Sequence, residues 1–579
     1  MKKEIKFLVF LYFIIVIVKV IFSSFIPTIS IFSDEYLYAK MARSFFYHGE
    51  FSIHGIPTSQ YLPLYPIFLS VAYLFQDMQL VYLAMKVINA FISSTIIFPA
   101  YFLTRAFTKP LTAKFTTLLI GIIPATFAFT PYLMSENLFY PLVLFSVYFL
   151  YKNFTEDKLI WKVLTGIFLA LSALTRVTGL ILLVVFFLVT FFQWIRRKKV
   201  NLSSFLLILF VIFLLLLPWM LRNGSAFGWS LSGILGLQGY SQLSKTFVVA
   251  PLLQLGIRAI VRFLFSFGYL ILGAGILFGV FAILTLRKSF FREERMKIFL
   301  LISFLTILGF VLVTTKHGSG QHVSSLPFFL DYLLGGRIIG RYVDAALPIL
   351  FILGSIGLTT VSFTEKNISK ATFFVASLLG ITSLVSVFSL FPVNNMSVLW
   401  LGLFVSSLQF LFFGTLETTF FSWLLLVFIA FFLFSLPFFF LYLSRKKWFT
   451  FKNIILSFTV FFLLLSLLNY GITFYNANTY WEPGAQNQVG KWLNSYDKDT
   501  DKIVLYDERD CVVRILKEDQ RGICEPSHSA TIGGFWINKE IIMGNVSHLD
   551  GVDYVMSMHE LPLEKIYSLE RIYVYKANV

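Results

Sequence analysis

The chain has 579 residues, of which 58% are hydrophobic and only 13% are charged, and its formal net charge is +17. Soluble domains carry about 25% charged residues, so this composition excludes a water-soluble globule. The basic residues fall in short clusters between apolar runs, which indicates membrane topology and argues against a nucleic-acid-binding face. Two cysteines are too few for a disulfide-rich scaffold.

Apolar runs close to the bilayer-crossing length of about 20 residues recur from one end of the chain to the other. The first run is too long for the apolar region of a signal peptide and no small-residue cleavage site follows it, so we expect an uncleaved span. The predicted fold class is a polytopic α-helical membrane protein with thirteen spans. The spans are Phe7–Phe25, Leu80–Leu103, Leu111–Phe129, Leu138–Leu150, Trp161–Leu174, Val177–Trp194, Phe205–Met220, Phe263–Leu286, Ile298–Val313, Val343–Val361, Ala371–Leu390, Phe420–Leu443 and Ile454–Phe474.

Basic residues predict the orientation of these spans. With the N-terminus in the cytoplasm, every cytoplasmic segment carries at least two lysines or arginines, as the positive-inside rule requires. Counting the apolar stretch Val398–Phe413 as a further span would move the cluster Arg445, Lys446 and Lys447 outside, so we interpret that stretch as re-entrant or interfacial. The C-terminal region then lies outside the cytoplasm, and the expected location is the cell membrane.

The chain divides into two predicted domains. Residues 1–475 form the transmembrane domain, whose long first outer loop, 28–79, contains the apolar stretch Leu62–Phe75 with the length of an interfacial helix. Residues 476–579 carry more charge and no long apolar run, which predicts a small soluble α/β domain. Cys511 and Cys524 fall in this domain, either as a disulfide or as two free thiols.

Regular elements of the C-terminal domain can also be predicted. A helix is expected at Val489–Asn494, after Pro483. Short strands rich in apolar residues are expected at Lys502–Tyr506, Glu540–Met543, Tyr554–Met556 and Ile572–Tyr575.

Charged residues recur at the predicted outer ends of the spans. Charges at membrane depth are costly and therefore point to function. The topology, which rests on the cytoplasmic charges alone, places all of these residues on one face of the membrane. They are Asp34, Glu35, Lys86, Glu136, Arg176, Arg337 and Arg341, with Tyr342 beside them.

Such a set of acids and cations suits glycosyl transfer from a polyprenyl-phosphate sugar. The lipid of this donor dissolves in the bilayer, so its phosphate lies at the headgroup level, where Arg and Lys at helix ends can bind it. The acceptor hydroxyl needs a base, which a carboxylate near the anomeric carbon supplies.

Several short motifs, in this order and on this side of the membrane, resemble the GT-C superfamily of glycosyltransferases. The similarity is greatest to the family 39 branch, which includes protein O-mannosyltransferases and lipid A aminoarabinose transferases. It covers about Met1–Val361 by motif, and the soluble C-terminal domain also fits. The motifs are Asp34-Glu35, Leu62-Pro63-Leu64-Tyr65-Pro66, Glu136, Leu174-Thr175-Arg176 and Arg341-Tyr342.

The resemblance implies roles for these residues. Asp34 would be the catalytic base, Glu35 would orient the acceptor or a metal, and Glu136 would be a second acid of the site. The donor phosphate would be held by the cations and their aromatic neighbour, namely Lys86, Arg176, Arg337, Arg341 and Tyr342.

A divalent metal ion is possible but not required by the sequence. Glu35 and His48 are weak candidate ligands, because no tight metal-binding spacing occurs. The predicted function is sugar transfer, with inversion, from a polyprenyl-phosphate-linked donor to an extracytoplasmic lipid-linked glycan, glycolipid or protein. The alternatives are a membrane transporter, for which charges near the midplane and internal repeats would be expected, and a non-catalytic sensor with an outer α/β domain.

Overall fold

A computed structural model of the chain describes residues 2–30, 32–59, 61–196, 202–236, 252–289, 293–318, 339–360, 365–382, 392–414, 420–445, 451–507, 509, 511–513, 525–526 and 533–577. Within these ranges, eight helical segments are long and apolar enough to cross a membrane, and seven further apolar helices are shorter. The prediction of a polytopic helical membrane protein is confirmed. The number of thirteen spans stays a prediction.

The described residues before 237 form twelve α-helices. They are α1 (Lys2–Ser24), α2 (Ser33–His48), α3 (Leu64–Ser70), α4 (Met78–Ser94), α5 (Ile97–Arg105), α6 (Pro110–Ile122), α7 (Pro124–Phe127), α8 (Glu136–Thr155), α9 (Leu159–Thr175), α10 (Leu180–Ile195), α11 (Leu202–Phe227) and α12 (Leu231–Ile234). A two-stranded hairpin, β1 (Ser52–Ile53) and β2 (Ile56–Pro57), follows α2.

The helices after residue 251 continue this numbering. They are α13 (Leu252–Gly273), α14 (Leu277–Ser289), α15 (Glu294–Gly318), α16 (Leu347–Thr360), α17 (Glu365–Ile381), α18 (Pro392–Asn395), α19 (Leu399–Phe413), α20 (Phe420–Arg445), α21 (Phe451–Asn476) and α22 (Ala485–Tyr496). Two short 3-10 turns, Gly340–Tyr342 and Asp344–Ala346, lead into α16.

One predicted span is broken in the structure. The run Phe263–Leu286 was expected to be a single helix, but it is divided between α13 and α14. Gly275 and Ile276 at the break both have positive φ, 72° and 61°, a conformation that ends a helix and that residues other than glycine rarely adopt. Apolar residues continue through the break, so hydropathy alone gave no signal of it.

The stretch around Val398–Phe413 forms a helix. Together with the 3-10 turn Met396–Val398 before it, α19 is long and apolar enough to qualify as a span. Its start contacts the 3-10 turn that leads into α16, because the Ser397 hydroxyl donates to Asp344 Oδ1 at 2.8 Å. Its interpretation as a re-entrant or interfacial segment stays a prediction.

The C-terminal region contains a five-stranded sheet and a separate strand pair. The strands of the sheet are β3 (Ile503–Asp507), β6 (Glu540–Gly544), β7 (Tyr554–Ser557), β8 (Glu564–Leu569) and β9 (Ile572–Lys576), and the pair is β4 (Cys511–Val513) with β5 (Glu525–Pro526). The order of the sheet is β6-β3-β7-β9-β8. Strand β3 pairs in parallel with β6 and β7, and β9 pairs in antiparallel fashion with β7 and β8.

The four predicted strands and the predicted helix each correspond to an observed element of this region, β3, β6, β7, β9 and α22. Strands β4, β5 and β8 were not predicted. In β8 no residue is buried, since half of its residues are exposed and half are half-buried, so it lacks a strong apolar signal. Cys524 lies outside the described residues, so its pairing with Cys511 stays a prediction.

The C-terminal region rests on α2. The Lys40 ammonium donates to the carbonyl of Ile537 at 2.7 Å, and Arg43 donates to Asn538 Oδ1 at 3.2 Å and to the carbonyl of Thr500 at 2.6 Å. These contacts involve the middle and second half of α2, and they leave its first turn, which carries Asp34, uncovered by these residues.

Cysteine labelling tests the orientation of the bundle. In a background with Cys511 and Cys524 replaced by Ser, Asp550→Cys should react with an impermeant maleimide added outside intact cells. Asp550 is exposed and belongs to the region predicted to lie outside the cytoplasm. Lys158→Cys, in the exposed turn between α8 and α9, should react only after the membrane is opened. Labelling of Asp550→Cys from the cytoplasmic side alone would reverse the parity and make α19 a full span.

Candidate active site

A helical hairpin brings the first two charged residues together. Helices α8 and α9 have 20 and 17 residues, which corresponds to about 30 and 26 Å at 1.5 Å per residue. A three-residue connection returns the chain to the end where it began. Glu136 is the first residue of α8 and Arg176 directly follows α9. An acid at a helix N-terminus and a base at a C-terminus are each favoured by the helix dipole.

Glu136 and Arg176 form a buried ion pair. Arg176 Nη1 lies 2.6 Å from Glu136 Oε1, and the Glu136 side chain is fully buried. The same Nη1 donates to the hydroxyl of Ser135 at 2.9 Å, which also receives a hydrogen bond from Tyr38. Neither oxygen of Glu136 accepts a well-directed hydrogen bond from the described residues, so this carboxylate depends on charge for its stabilisation.

Asp34 is the second carboxylate of the cluster. It lies in the first turn of α2, where its Oδ2 is 3.2 Å from Arg341 Nη1 and its Oδ1 accepts a hydrogen bond from Tyr61 at 2.8 Å. Arg341 Nη1 also approaches Glu136 Oε1 at 4.0 Å, so this guanidinium connects the two acids. The side chain of Asp34 is 25% exposed and those of Arg341 and Glu136 are 8% and 0% exposed. Asp34 is therefore the acid that an incoming molecule can reach.

The two guanidiniums remain charged in this setting. Burial lowers the pKa of Arg176, but the Glu136 carboxylate together with the hydroxyls of neighbouring tyrosines outweighs it, and the net pKa is raised. Burial likewise lowers the pKa of Arg341, and Asp34, Tyr342 and Glu136 together outweigh it, so that the pKa is again raised. The cluster therefore consists of two acids and two permanent cations. An added anion can compete with the carboxylates for the arginines.

Aromatic rings enclose the arginines. The Arg341 guanidinium lies 4.6 Å from the ring centre of Phe32 and 5.4 Å from that of Tyr342. Tyr342 is also 5.3 Å from Arg176, so its ring contacts both cations. Cation–π contacts of this kind fix the planar guanidinium groups and exclude water.

Glu35 lies beside the cluster but points away from it. Its carboxylate accepts hydrogen bonds from the backbone and hydroxyl of Ser30 and from the backbone N–H of Leu133 at 2.8 Å. Burial raises the pKa of Glu35 to about 7, against the lowering effect of these bonds. Its contacts tie the loop before Asp34 to the loop before Glu136, so they fix the two acids relative to each other. Its assignment to an acceptor or a metal stays a prediction.

The Lys86 ammonium also donates its hydrogen bonds to groups of the protein itself. Its ammonium donates to the carbonyls of Ser23 and Ile26 at 3.0 and 2.8 Å and lies 4.1 Å from the ring centre of Tyr82. These carbonyls belong to the end of α1 and the turn after it. A donor phosphate would have to replace these contacts in order to bind Lys86.

His48 is not brought to the cluster, and Arg337 lies outside the described residues. Glu35 and His48 are thirteen residues apart on α2, a rise of about 20 Å, so they cannot bind one ion together. Among the residues that the structure describes, no three His, Cys, Asp or Glu side chains form a metal-binding group.

Three polar residues in or beside the cluster were not predicted from the sequence. Tyr61 and Ser135 are neutral residues in loops, so neither charge nor hydropathy distinguishes them from other loop residues. Asp344 is fully buried and accepts hydrogen bonds from Ser397 at 2.8 Å and Tyr269 at 3.3 Å. An acid at the start of an apolar span is a recognisable signal, and it lies only three residues after Arg341.

No protein-family model and no curated protein matches the chain. Solved structures do match its fold. ArnT from Cupriavidus metallidurans bound to undecaprenyl phosphate has a TM-score of 0.56 at 14% identity, over 98% of this chain and 97% of that one. The apo state of ArnT gives 0.51 at 13% identity with the same coverage. The oligosaccharyltransferase from Archaeoglobus fulgidus is a weaker match, with a TM-score of 0.47 at 12% identity over 94% of this chain and 69% of that one.

The chain thus has the same fold as ArnT over nearly its whole length. The resemblance to the GT-C superfamily is confirmed at the level of the fold.

The ion pair of the hairpin can be tested through stability. Glu136→Gln leaves Arg176 buried without its counter-charge, so we expect a loss of about 3–5 kcal/mol, the range for removing one partner of a buried pair. Arg176→Gln should cost a similar amount. The double variant should recover part of the loss, because no charge is then left unpaired. Thermal unfolding of the detergent-solubilised protein measures this, and additive losses in the double variant would contradict the pairing.

Proposed function

We propose that the chain is an inverting membrane glycosyltransferase, a hexosyl- or pentosyltransferase. It would transfer a sugar from a polyprenyl-phosphate-linked donor to an extracytoplasmic lipid-linked glycan, glycolipid or protein. The observation that carries this proposal is the arrangement around Asp34. A reachable carboxylate lies 3.2 Å from a buried arginine that also approaches a second acid.

The proposed reaction is a single displacement. The acceptor hydroxyl gives its proton to Asp34 as its oxygen attacks the anomeric carbon. The bond from that carbon to the phosphate oxygen breaks on the opposite face, and polyprenyl phosphate leaves. Attack and departure on opposite faces invert the anomeric centre.

The arginines would bind the phosphate before and after this step. Arg341 and Arg176 are planar donors that suit bidentate contact with a phosphate. A phosphate that takes up the charge of Arg341 weakens its contact with Asp34, which leaves the carboxylate a better proton acceptor. Donor binding would in this way activate the base.

The fold supports a polyprenyl-phosphate donor, since the ArnT structure contains undecaprenyl phosphate and matches 98% of this chain. The transporter alternative predicts charges near the midplane, whereas Asp34 and Glu136 both lie in the first turn of a helix. The sensor alternative gives no reason for a buried cluster of two acids and two arginines. Both alternatives are therefore less well supported.

Removal of the base is the main test. Asp34→Asn keeps the shape of the side chain and its contact with Tyr61, so the protein should fold and bind donor. Turnover should fall by roughly 10²–10⁴, the range for a positioned general base. Transfer from a panel of radiolabelled polyprenyl-phosphate sugars, together with direct donor binding, measures the two effects separately.

A matched control uses an acid far from the cluster. Asp157→Asn removes a carboxylate whose side chain is 82% exposed and pairs with Lys162 in the turn after α8. It should retain near-normal turnover. A folded Asp34→Asn variant with normal turnover would end the base assignment and make Glu136 the next candidate.

The phosphate contact can be tested at Arg341. Arg341→Ala should weaken donor binding by roughly ten- to a hundredfold, because a charge-assisted hydrogen bond contributes about 1.5–3 kcal/mol. Arg341→Lys should be milder, since it keeps the charge and loses the bidentate geometry. Equal donor affinity in the wild type and both variants, measured by equilibrium binding, would assign Arg341 a structural role.

A further inference from the structure

A second polar site lies farther along α2. A small cavity, open to solvent, lies between the second half of α2, the hairpin β1–β2 and the start of β6. Arg43 follows Asp34 by nine residues on the same helix, a rise of about 13 Å, so this cavity is separate from the Asp34 cluster. The charged and imidazole side chains that line it are those of Lys40, Arg43, His48, His54, Lys539 and Glu540.

The cavity carries an excess of positive charge. Lys40 and Arg43 are only 6% and 4% exposed, and their recorded hydrogen bonds go to neutral carbonyl and amide oxygens. Within the described part of the chain, neither forms an ion pair shorter than 4 Å, and neither does the lining acid Glu540. Lys539 is compensated, since it lies 3.5 Å from Asp497 Oδ1. Buried charges are normally paired. Burial lowers the pKa of Lys40 and of Arg43, and the acids Glu540 and Asp501 act on Arg43 only from a distance, so neither basic side chain has a counter-ion in contact with it.

His54 adds a polar atom without a partner. Its ring is 5% exposed, its Nε2 is 2.8 Å from the hydroxyl of Tyr36, and its Nδ1 has no hydrogen-bond partner among the residues described. The turn holds His54 at φ 55° and Gly55 at φ 75°. A left-handed conformation is costly for a residue other than glycine. The hairpin therefore holds the imidazole against the cavity wall at a cost in backbone energy.

We propose that this cavity binds an oxyanion, namely a phosphate or carboxylate group carried by the acceptor or by a lipid headgroup. Lys40 and Arg43 supply the charge for it. When Tyr36 donates to Nε2, the Nδ1 of His54 carries the proton and becomes a donor to the anion. The hydroxyls of Ser44 and Ser52, 2.6 Å apart, line the same cavity and offer a further donor.

The link to an acceptor rests on the proposed glycosyl transfer, whereas anion binding itself does not. An acceptor anchored here would present a hydroxyl to Asp34 at the other end of the same helix. The anion would then select acceptors that carry a negative group at a fixed distance from the reacting hydroxyl.

An isosteric pair of variants at Ser52 tests the site. Ser52→Asp places a carboxylate in the cavity, and Ser52→Asn places a neutral side chain of the same shape there. We expect Ser52→Asp to unfold at a higher temperature than Ser52→Asn, because it supplies the missing counter-charge. Inorganic phosphate, titrated into the full-length protein in zwitterionic detergent, should bind at least tenfold more weakly to Ser52→Asp than to Ser52→Asn.

Two further experiments identify the source of the anion and show whether anion binding depends on the glycosyl-transfer reaction. Phosphate binding retained by Asp34→Asn shows that the site is independent of the reaction. The second experiment compares the unfolding temperature of each variant in phosphatidylglycerol nanodiscs with that in phosphatidylcholine nanodiscs. If phosphate does not bind, but phosphatidylglycerol stabilises Ser52→Asn more than it stabilises Ser52→Asp, the anion is a lipid headgroup. The proposal is overturned if neither anion distinguishes the two variants, or if Ser52→Asp is the less stable of them.

Discussion

Charge pairing in a medium of low dielectric constant determines where this molecule can assemble a polar site. The Glu136 side chain is fully buried, and its Oε1 lies 2.6 Å from Arg176 Nη1. Removing either partner would leave the other as a buried charge that neither an opposite charge nor water compensates. The hairpin α8–α9 satisfies this constraint, because it returns the chain to one end of the bundle and places an acid and a base at complementary helix termini. Arg341 and Asp34 then join a pair whose opposite charges already compensate each other.

Much of this arrangement could be predicted from the sequence. Asp34, Glu136, Arg176 and Arg341 were identified because charges are rare in so apolar a chain, and the basic loops assigned them all to one face. The resemblance to the GT-C superfamily predicted the fold, which the match to ArnT confirms. The four predicted strands of the C-terminal region also correspond to observed strands.

Other features depend on three-dimensional contacts that leave no pattern in one dimension. The break at Gly275 and Ile276 lies inside a continuous apolar run, so hydropathy predicts one helix where the backbone forms two. Glu35 stands next to Asp34 in the chain, yet successive side chains on a helix point about 100° apart, and its carboxylate bonds to Ser30 and Leu133 instead. Adjacent acids in a sequence therefore do not imply a shared site.

The docking of the C-terminal region on α2 has a consequence for biogenesis. Lys40 donates to the carbonyl of Ile537, which lies 497 residues later in the chain. A ribosome adds about 5–20 residues per second, so α2 emerges roughly half a minute or more before its partner exists. During that interval α2, the helix that carries Asp34, lacks its contacts with Thr500, Ile537 and Asn538. The helix therefore acquires its full set of contacts only late in synthesis.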